Sequence, residues 1–145
     1  MKSDISKEYL TTINHPETKK YIQFSKIGNT KKKTDLIDYI NNLPKTDFLY
    51  GVFNKKKHLA NFKFQKKGKK IYILFLTFTK YQGNGIFVKV FSKIIKKFNL
   101  KYRNQKKIYL GVNPNNLKAK YLYKKLGFKK VKNSNTDMYF KISDK

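Results

Sequence analysis

Between Ile71 and Phe98 the sequence changes its hydrophobic period within one short turn. Ile71 to Thr79 is nearly all apolar and β-branched or aromatic. A continuous run of this kind predicts a central strand covered on both faces. Lys80 to Gly85 is a brief glycine-bearing turn. Ile86, Val90, Ile94 and Phe98 then fall on one line, with Phe87, Phe91 and Ile95 beside it, which is the pattern of an amphipathic helix. A buried strand feeding directly into such a helix needs a sheet with helices laid against it.

The flanking segments extend that plan. Asp4 is placed to cap a first helix carrying Ile5, Tyr9, Leu10 and Ile13, which His15-Pro16 ends. Glu17 to Phe24 fits no single pattern, and Lys26 to Lys33, with Gly28-Asn29, reads as a loop. Thr34 is expected to cap a second helix with Leu36, Ile37, Ile40 and Leu43 as its apolar face, stopped by Pro44. Asp47 to Asn54 and His58 to Gln65 read as a hairpin turning at Lys55 to Lys57, and Lys66 to Lys70 leads to the third strand. After the amphipathic helix come a basic loop (Asn99 to Lys107), a short strand (Ile108 to Val112) and a turn at Asn113 to Asn116. A helix follows with Ala119, Leu122, Tyr123 and Leu126 on one face and Gly127 as its C-terminal cap. Phe128 to Val131 and Met138 to Ile142 form a closing hairpin. The expected fold is α+β (mixed α/β), one central, mostly antiparallel sheet flanked by helices, in a single domain over residues 1–145.

Composition removes several function classes. The chain has no cysteine, which excludes thiolate metal sites, disulfides and a cysteine nucleophile. His15 and His58 are the only histidines, so no metal is expected. No stretch approaches the roughly 20 apolar residues of a membrane-spanning helix. Met1 to Leu10 lacks an apolar leader core, so the default expectation is a cytoplasmic protein. The net charge of +27 raises nucleic acid as a partner. Three features weigh against it. Arg103 is the only arginine, the lysines are scattered along the chain, and Lys, Asn, Ile, Phe and Tyr are enriched together, as an AT-rich genome would encode. The positive surface would still attract any anionic ligand.

The turn Gln82-Gly83-Asn84-Gly85 carries the chemistry. A helix N-terminus presents unpaired N–H groups and the positive end of the dipole, and glycines let a phosphate approach the main chain. An ordinary strand-to-helix turn would have the same pattern. A Walker loop is excluded because no Gly-Lys-Ser/Thr follows, and a dinucleotide fingerprint lacks its third glycine and its acidic residue.

Some 30 residues on comes a second element, Asn116-Leu117-Lys118-Ala119-Lys120-Tyr121-Leu122-Tyr123-Lys124-Lys125-Leu126-Gly127-Phe128. Together the two resemble the GNAT superfamily of N-acetyltransferases. Its members carry Gln/Arg-x-x-Gly-x-Gly/Ala at the start of a helix that binds the coenzyme A pyrophosphate, then a strand, an Asn-x-x-Ala helix and a Leu-Tyr-x-x-x-Gly-Phe close. Gln82, Gly85, Asn116, Ala119, Leu122, Tyr123, Gly127 and Phe128 stand in the matching places. The likeness covers about residues 47–131. Asp4 to Tyr21 looks like the helical opening of the ribosomal-protein and amino-sugar acetyltransferase branch, here beginning after that branch's short first strand. Two positions depart from the pattern. Phe87 replaces a small residue, and Ile71 to Thr79 lacks the carboxylate that serves many members as general base.

The resemblance implies the acyl-CoA N-acyltransferase fold and acetyl-CoA as co-substrate, with an amine acceptor as the other partner, in a monomer or homodimer. It implies that the backbone of Phe75, Leu76 and Thr77 pairs with the pantetheine arm. It also implies that Gln82, Gly83, Asn84, Gly85, Ile86, Phe87 and Val88 wrap the pyrophosphate, that Asn116 bonds the arm, and that Tyr123 protonates the departing thiolate. Read from the residues alone, Tyr123 is equally a core tyrosine and Asn116 a helix cap. The base stays open between His58, a water chain and an amine that arrives neutral. The acceptor is a small molecule, an amino-sugar nucleotide or a protein N-terminus. The alternatives are a lysine-driven RNA- or ribosome-binding module and an acyl-CoA-binding fold without turnover.

Overall fold

The computed structural model describes residues 7–16 and 32–142. The expected Asp4 cap, the ambiguous Glu17 to Phe24 and most of the Lys26 to Lys33 loop lie outside them. The elements are α1 (Lys7–Asn14), α2 (Lys33–Asn41), β1 (Phe48–Asn54), β2 (Lys57–Lys67) and β3 (Lys70–Thr77). A 3-10 turn (Thr79–Tyr81) follows, then α3 (Ile86–Lys101), β4 (Lys107–Gly111), α4 (Leu117–Leu126), β5 (Lys129–Lys130) and β6 (Asp137–Lys141). Six strands make one sheet in the order β1-β2-β3-β4-β6-β5. β3 pairs with β4 in parallel at Tyr72 and Tyr109, whereas β6 runs antiparallel to both β4 and β5. The parallel pair is what α3 makes possible, since a parallel neighbour needs a crossover connection.

The described residues group into two compact units, one within Met1–Phe62 and Phe75–Ile86, the other within Lys63–Leu74 and Phe87–Lys145. In the first, Tyr9, Ile13, Leu36, Ile40 and Phe78 form the core, with Leu49, Leu76 and Tyr81 packed against it. Tyr9 stacks on Phe78 at 5.3 Å between centroids. A hydroxyl completes the joint: Thr79 donates its backbone N–H to Thr12 Oγ1 at 2.7 Å, and Thr12 is fully buried. Thr34 is not the cap of α2. The N-cap is Lys32, whose N–H donates to the Asp35 carboxylate at 2.9 Å, because an acid in the first turn satisfies an orphan donor and faces the positive end of the helix dipole.

In the second unit aromatic rings dominate. Phe91 lies edge-on to Phe140 at 5.1 Å, and Phe128 meets Phe91 and Phe140 at 5.7 and 5.6 Å. Phe64 meets Phe98 at 5.8 Å. The expected face of α3 is the packed one: Ile86, Phe87, Ile94 and Phe98 are buried. Tyr72 donates its hydroxyl to Asp137 Oδ2 at 2.9 Å, tying β3 to β6, and burial together with this carboxylate pushes the phenol up to about 12.

β3 departs from the expected strand. Ile71, Tyr72 and Ile73 are buried, but Leu74 is 42% exposed and Phe75 to Thr77 are half-buried. The strand stops at Thr77 because Phe78 gives its N–H to the Leu59 carbonyl and Thr79 turns toward Thr12. Cover on both faces therefore holds for the first half only, and the strand passes from one unit to the other between Leu74 and Phe75.

α4 closes on Gly127, left-handed at φ 102°, with its N–H donated to the Lys124 carbonyl and the Phe128 N–H to the Tyr123 carbonyl. That pair of bonds is a Schellman close. A Cβ on Gly127 would also stand 3.3 Å from Phe140 Cε2. Gly127→Ala is expected to cost about 1–2 kcal/mol, a fall in melting temperature of a few degrees in a thermal melt.

Candidate active site

The turn before α3 is held by its own side chains. Gln82 donates Nε2–H to the Thr77 carbonyl at 3.1 Å, and Asn84 donates Nδ2–H to the Tyr81 carbonyl at 3.0 Å. Gly83 and Gly85 have φ of 84° and 64°, where an L side chain is strained. A Cβ at either would meet nothing within 4 Å. These glycines are thus required by backbone conformation, and the space above them is open. Gln82 to Gly85 are all exposed. The chain enters α3 directly at Ile86, so the first-turn N–H groups of a 16-residue helix follow the glycines without interruption. This open, donor-rich turn fits a pyrophosphate: among the described residues nothing stands within 4 Å of a Cβ at either glycine, and no acidic residue lies in the turn.

Phe87 resolves by its direction. It is buried at 7% exposure, edge-on to Tyr123 at 5.6 Å and beside Phe91 at 5.6 Å. Its ring belongs to the core of the second unit, while its backbone stays in the helix's first turn. Val88, at 44% exposure, faces outward.

Asn116 caps α4: its Oδ1 accepts from the Ala119 N–H at 3.2 Å, which leaves the amide NH2 as the donor end for any ligand. Tyr123 sits on the half-buried face of α4 between Phe87 and Phe128, and burial raises its phenol above the ordinary value. A phenol so placed is held in its neutral, proton-donating form.

The structure therefore assembles two sets. Thr77 and Gln82 meet in the first unit, at the end of β3, with Phe75 and Leu76 just before them. Phe87 and Tyr123 meet in the second, with Asn116 opening the Tyr123 helix. His58, a candidate base, is buried in the first unit. Its ring stacks on Phe53 at 4.4 Å, meets Phe78 edge-on at 4.7 Å, and sets Nε2 at 2.7 Å from Asn61 Oδ1. Those contacts make it a packing residue. The amide clamps of Gln82 and Asn84 escaped sequence reasoning, although two carboxamides interleaved with two glycines are the composition that self-bonding turns use. Among the described residues no group of three or more His, Asp or Glu side chains is arranged for a metal, and no helix is long and apolar enough to cross a membrane.

Against known proteins, the family profile described as FR47-like protein matches residues 49–136. The chain belongs to that family, and with it to the GNAT superfamily. The fold agrees. A point mutant of the spermidine N-acetyltransferase SpeG from Vibrio cholerae superimposes with a TM-score of 0.70 at 15% identity, covering 99% of this chain and 91% of that one. A domain from Methanocaldococcus jannaschii gives 0.70 at 16% identity over 94% of each chain. A dodecameric spermidine N-acetyltransferase from Vibrio cholerae gives 0.66 at 16% identity over 99% and 91%. No curated protein matches the sequence significantly.

Asn116→Ala is expected to lower stability by about 1 kcal/mol through loss of the cap, measured by denaturant unfolding.

Proposed function

We propose that this protein is an acetyl-CoA-dependent N-acetyltransferase acting on a primary amine. The observation that carries the reading is the exposed Gly83/Gly85 turn opening onto α3, in a chain whose family match spans both that turn and the Tyr123 helix. The bound thioester supplies the acyl group, and the chain's residues do the rest. The family resemblance assigns the pyrophosphate to the Gly83–Val88 main chain, alignment of the pantetheine arm to Phe75 to Thr77, and a bond to that arm to the Asn116 amide. The amine nitrogen forms its bond to the acyl carbon as the carbon–sulfur bond breaks. Tyr123 gives its proton to the leaving sulfur, and the proton lost from the amine goes to water. An amine arriving neutral needs no carboxylate on β3, which agrees with the composition of that strand.

The acceptor we favour is an amine on a neutral or anionic body, such as an amino-sugar nucleotide. A polyamine site pairs ammonium groups with carboxylates. Among the described side chains the carboxylates are Asp35, Asp38, Asp47 and Asp137, of which Asp35 is spent on the α2 cap and Asp137 on Tyr72. A cavity of about 320 Å³ bordered by Pro114 is lined by Lys120, Lys124 and Lys130 against the single carboxylate of Asp137, a charge balance that suits an anion.

Acetyl-CoA at about 100 times its Kd should stabilise the fold by about 2.7 kcal/mol, a melting shift of about 5–10 °C. No shift at millimolar cofactor would overturn the proposal. With a panel of amines and thiol detection of free coenzyme A, Tyr123→Phe should lower kcat about 100-fold while the acetyl-CoA shift is retained. Because the phenol is raised, the wild-type rate should not fall through loss of this proton between pH 8 and 10. A shift without turnover of any amine would point to an acyl-CoA-binding fold that does not catalyse.

A further inference from the structure

Lysines that are scattered in the sequence are gathered by the sheet. In the second unit, Ile108, Leu110, Met138 and Phe140 turn one face of β4 and β6 into the core, so alternation puts Tyr109 and Tyr139 on the other face. These two pair directly across the strands, with ring centroids 6.1 Å apart, and Tyr109 lies 5.6 Å from Tyr72 on β3. The result is a three-strand tyrosine ladder. Each ring carries an ammonium from the preceding strand of the sheet. Lys67 Nζ of β2 lies 5.0 Å from the Tyr72 centroid, Lys70 of β3 5.0 Å from Tyr109, and Lys107 of β4 4.5 Å from Tyr139. Cation–π attraction holds them there. The other lysine–tyrosine pairs described, Lys80 with Tyr81 and Lys125 with Tyr121, are isolated within one turn or one helix. Here three are registered, one strand apart, or about 4.8 Å. Lys141, opposite Lys107, adds a fourth charge, and Lys67 and Lys141 are exposed. The one carboxylate among them, Asp137, is held at the far end of β6 by the Tyr72 hydroxyl.

We propose that this sheet face binds single-stranded nucleic acid, its row of ammoniums taking successive phosphates and the half-buried rings of Tyr109 and Tyr139 taking bases. A row of fixed cations on an aromatic platform fits a phosphate backbone with unpaired bases. A protein partner would meet four lysines that pair with no carboxylate among the described residues. None of the lysines and tyrosines of this face is among the residues assigned to acetyl transfer, so either property stands without the other.

The test is fluorescence anisotropy of the full chain with labelled U12, and with dT12 as the DNA form, in 50 to 200 mM salt. Lys70→Glu/Lys107→Glu should weaken binding of the tighter oligonucleotide at least 10-fold at low salt. It should also flatten the log–log salt slope by about 1.4, the loss of two single-strand phosphate contacts. Lys93→Glu/Lys96→Glu, an equal charge change on exposed positions of α3, should shift affinity less than threefold. Thermal melts establish that both variants fold, and Lys70→Gln/Lys107→Gln carries the test if the reversal does not. Equal loss in the two double variants would reduce the effect to net charge and overturn the assignment. Failure of the wild type to bind either oligonucleotide at 50 mM salt would do the same. So would a wild-type dimer in sedimentation that Lys70→Glu/Lys107→Glu splits without changing oligonucleotide affinity, which would make this face an interface between copies.

Discussion

Two residues with positive φ, Gly83 and Gly85, set the point at which the chain enters α3. The turn they make takes the chain from the 3-10 turn and delivers it, with N–H groups forward, into a long helix. The parallel pairing of Tyr72 with Tyr109 depends on that helix returning the chain to the sheet, and the Phe87 and Phe91 packing depends on where its first turn starts. The glycines have open space around them, so their identity is fixed by main-chain geometry and by whatever approaches from outside.

Phe87 shows how a family position can change its residue without filling the space at the turn. A small residue there leaves room near the main chain. A phenylalanine keeps that room because its ring goes into the core, edge-on to Tyr123. The substitution thereby couples the first turn of α3 to the helix that carries the candidate acid. Both the position of that first turn and burial of the phenol draw on the same aromatic contact.

Most of the architecture could be read from period and punctuation. Pro44, Gly127 and the change of period at Gly85 each fall where an element ends, because these residues act through local sterics that sequence displays directly. The helical faces of α3 and α4 were legible for the same reason. What sequence hid was tertiary. Thr34 looked like a cap because its hydroxyl is the usual one, yet the Asp35 carboxylate beside it makes the bond. The apolar run from Ile71 suggested uniform cover, but Leu74 opens to solvent where the strand changes units. For the candidate site, the glycine turn, Asn116 and Tyr123 were visible as motifs, whereas the Gln82 and Asn84 clamps and the placement of His58 needed coordinates. The tyrosine ladder was invisible for a simpler reason: its three rings come from three strands far apart in sequence.

The hydroxyl of Thr12 has a wider reach than its size suggests. It receives the amide of Thr79, three residues before the glycine turn, so α1 and the approach to that turn share one hydrogen bond inside the first unit. Local opening of a protein proceeds in cooperative blocks set by such bonds. An excursion that lifts α1 must also release the Thr79 amide and loosen the 3-10 turn leading into Gln82. Slow amide exchange at Thr79 would then report on α1 as much as on the turn, and a ligand that rigidifies the glycine turn would quieten the N-terminal helix.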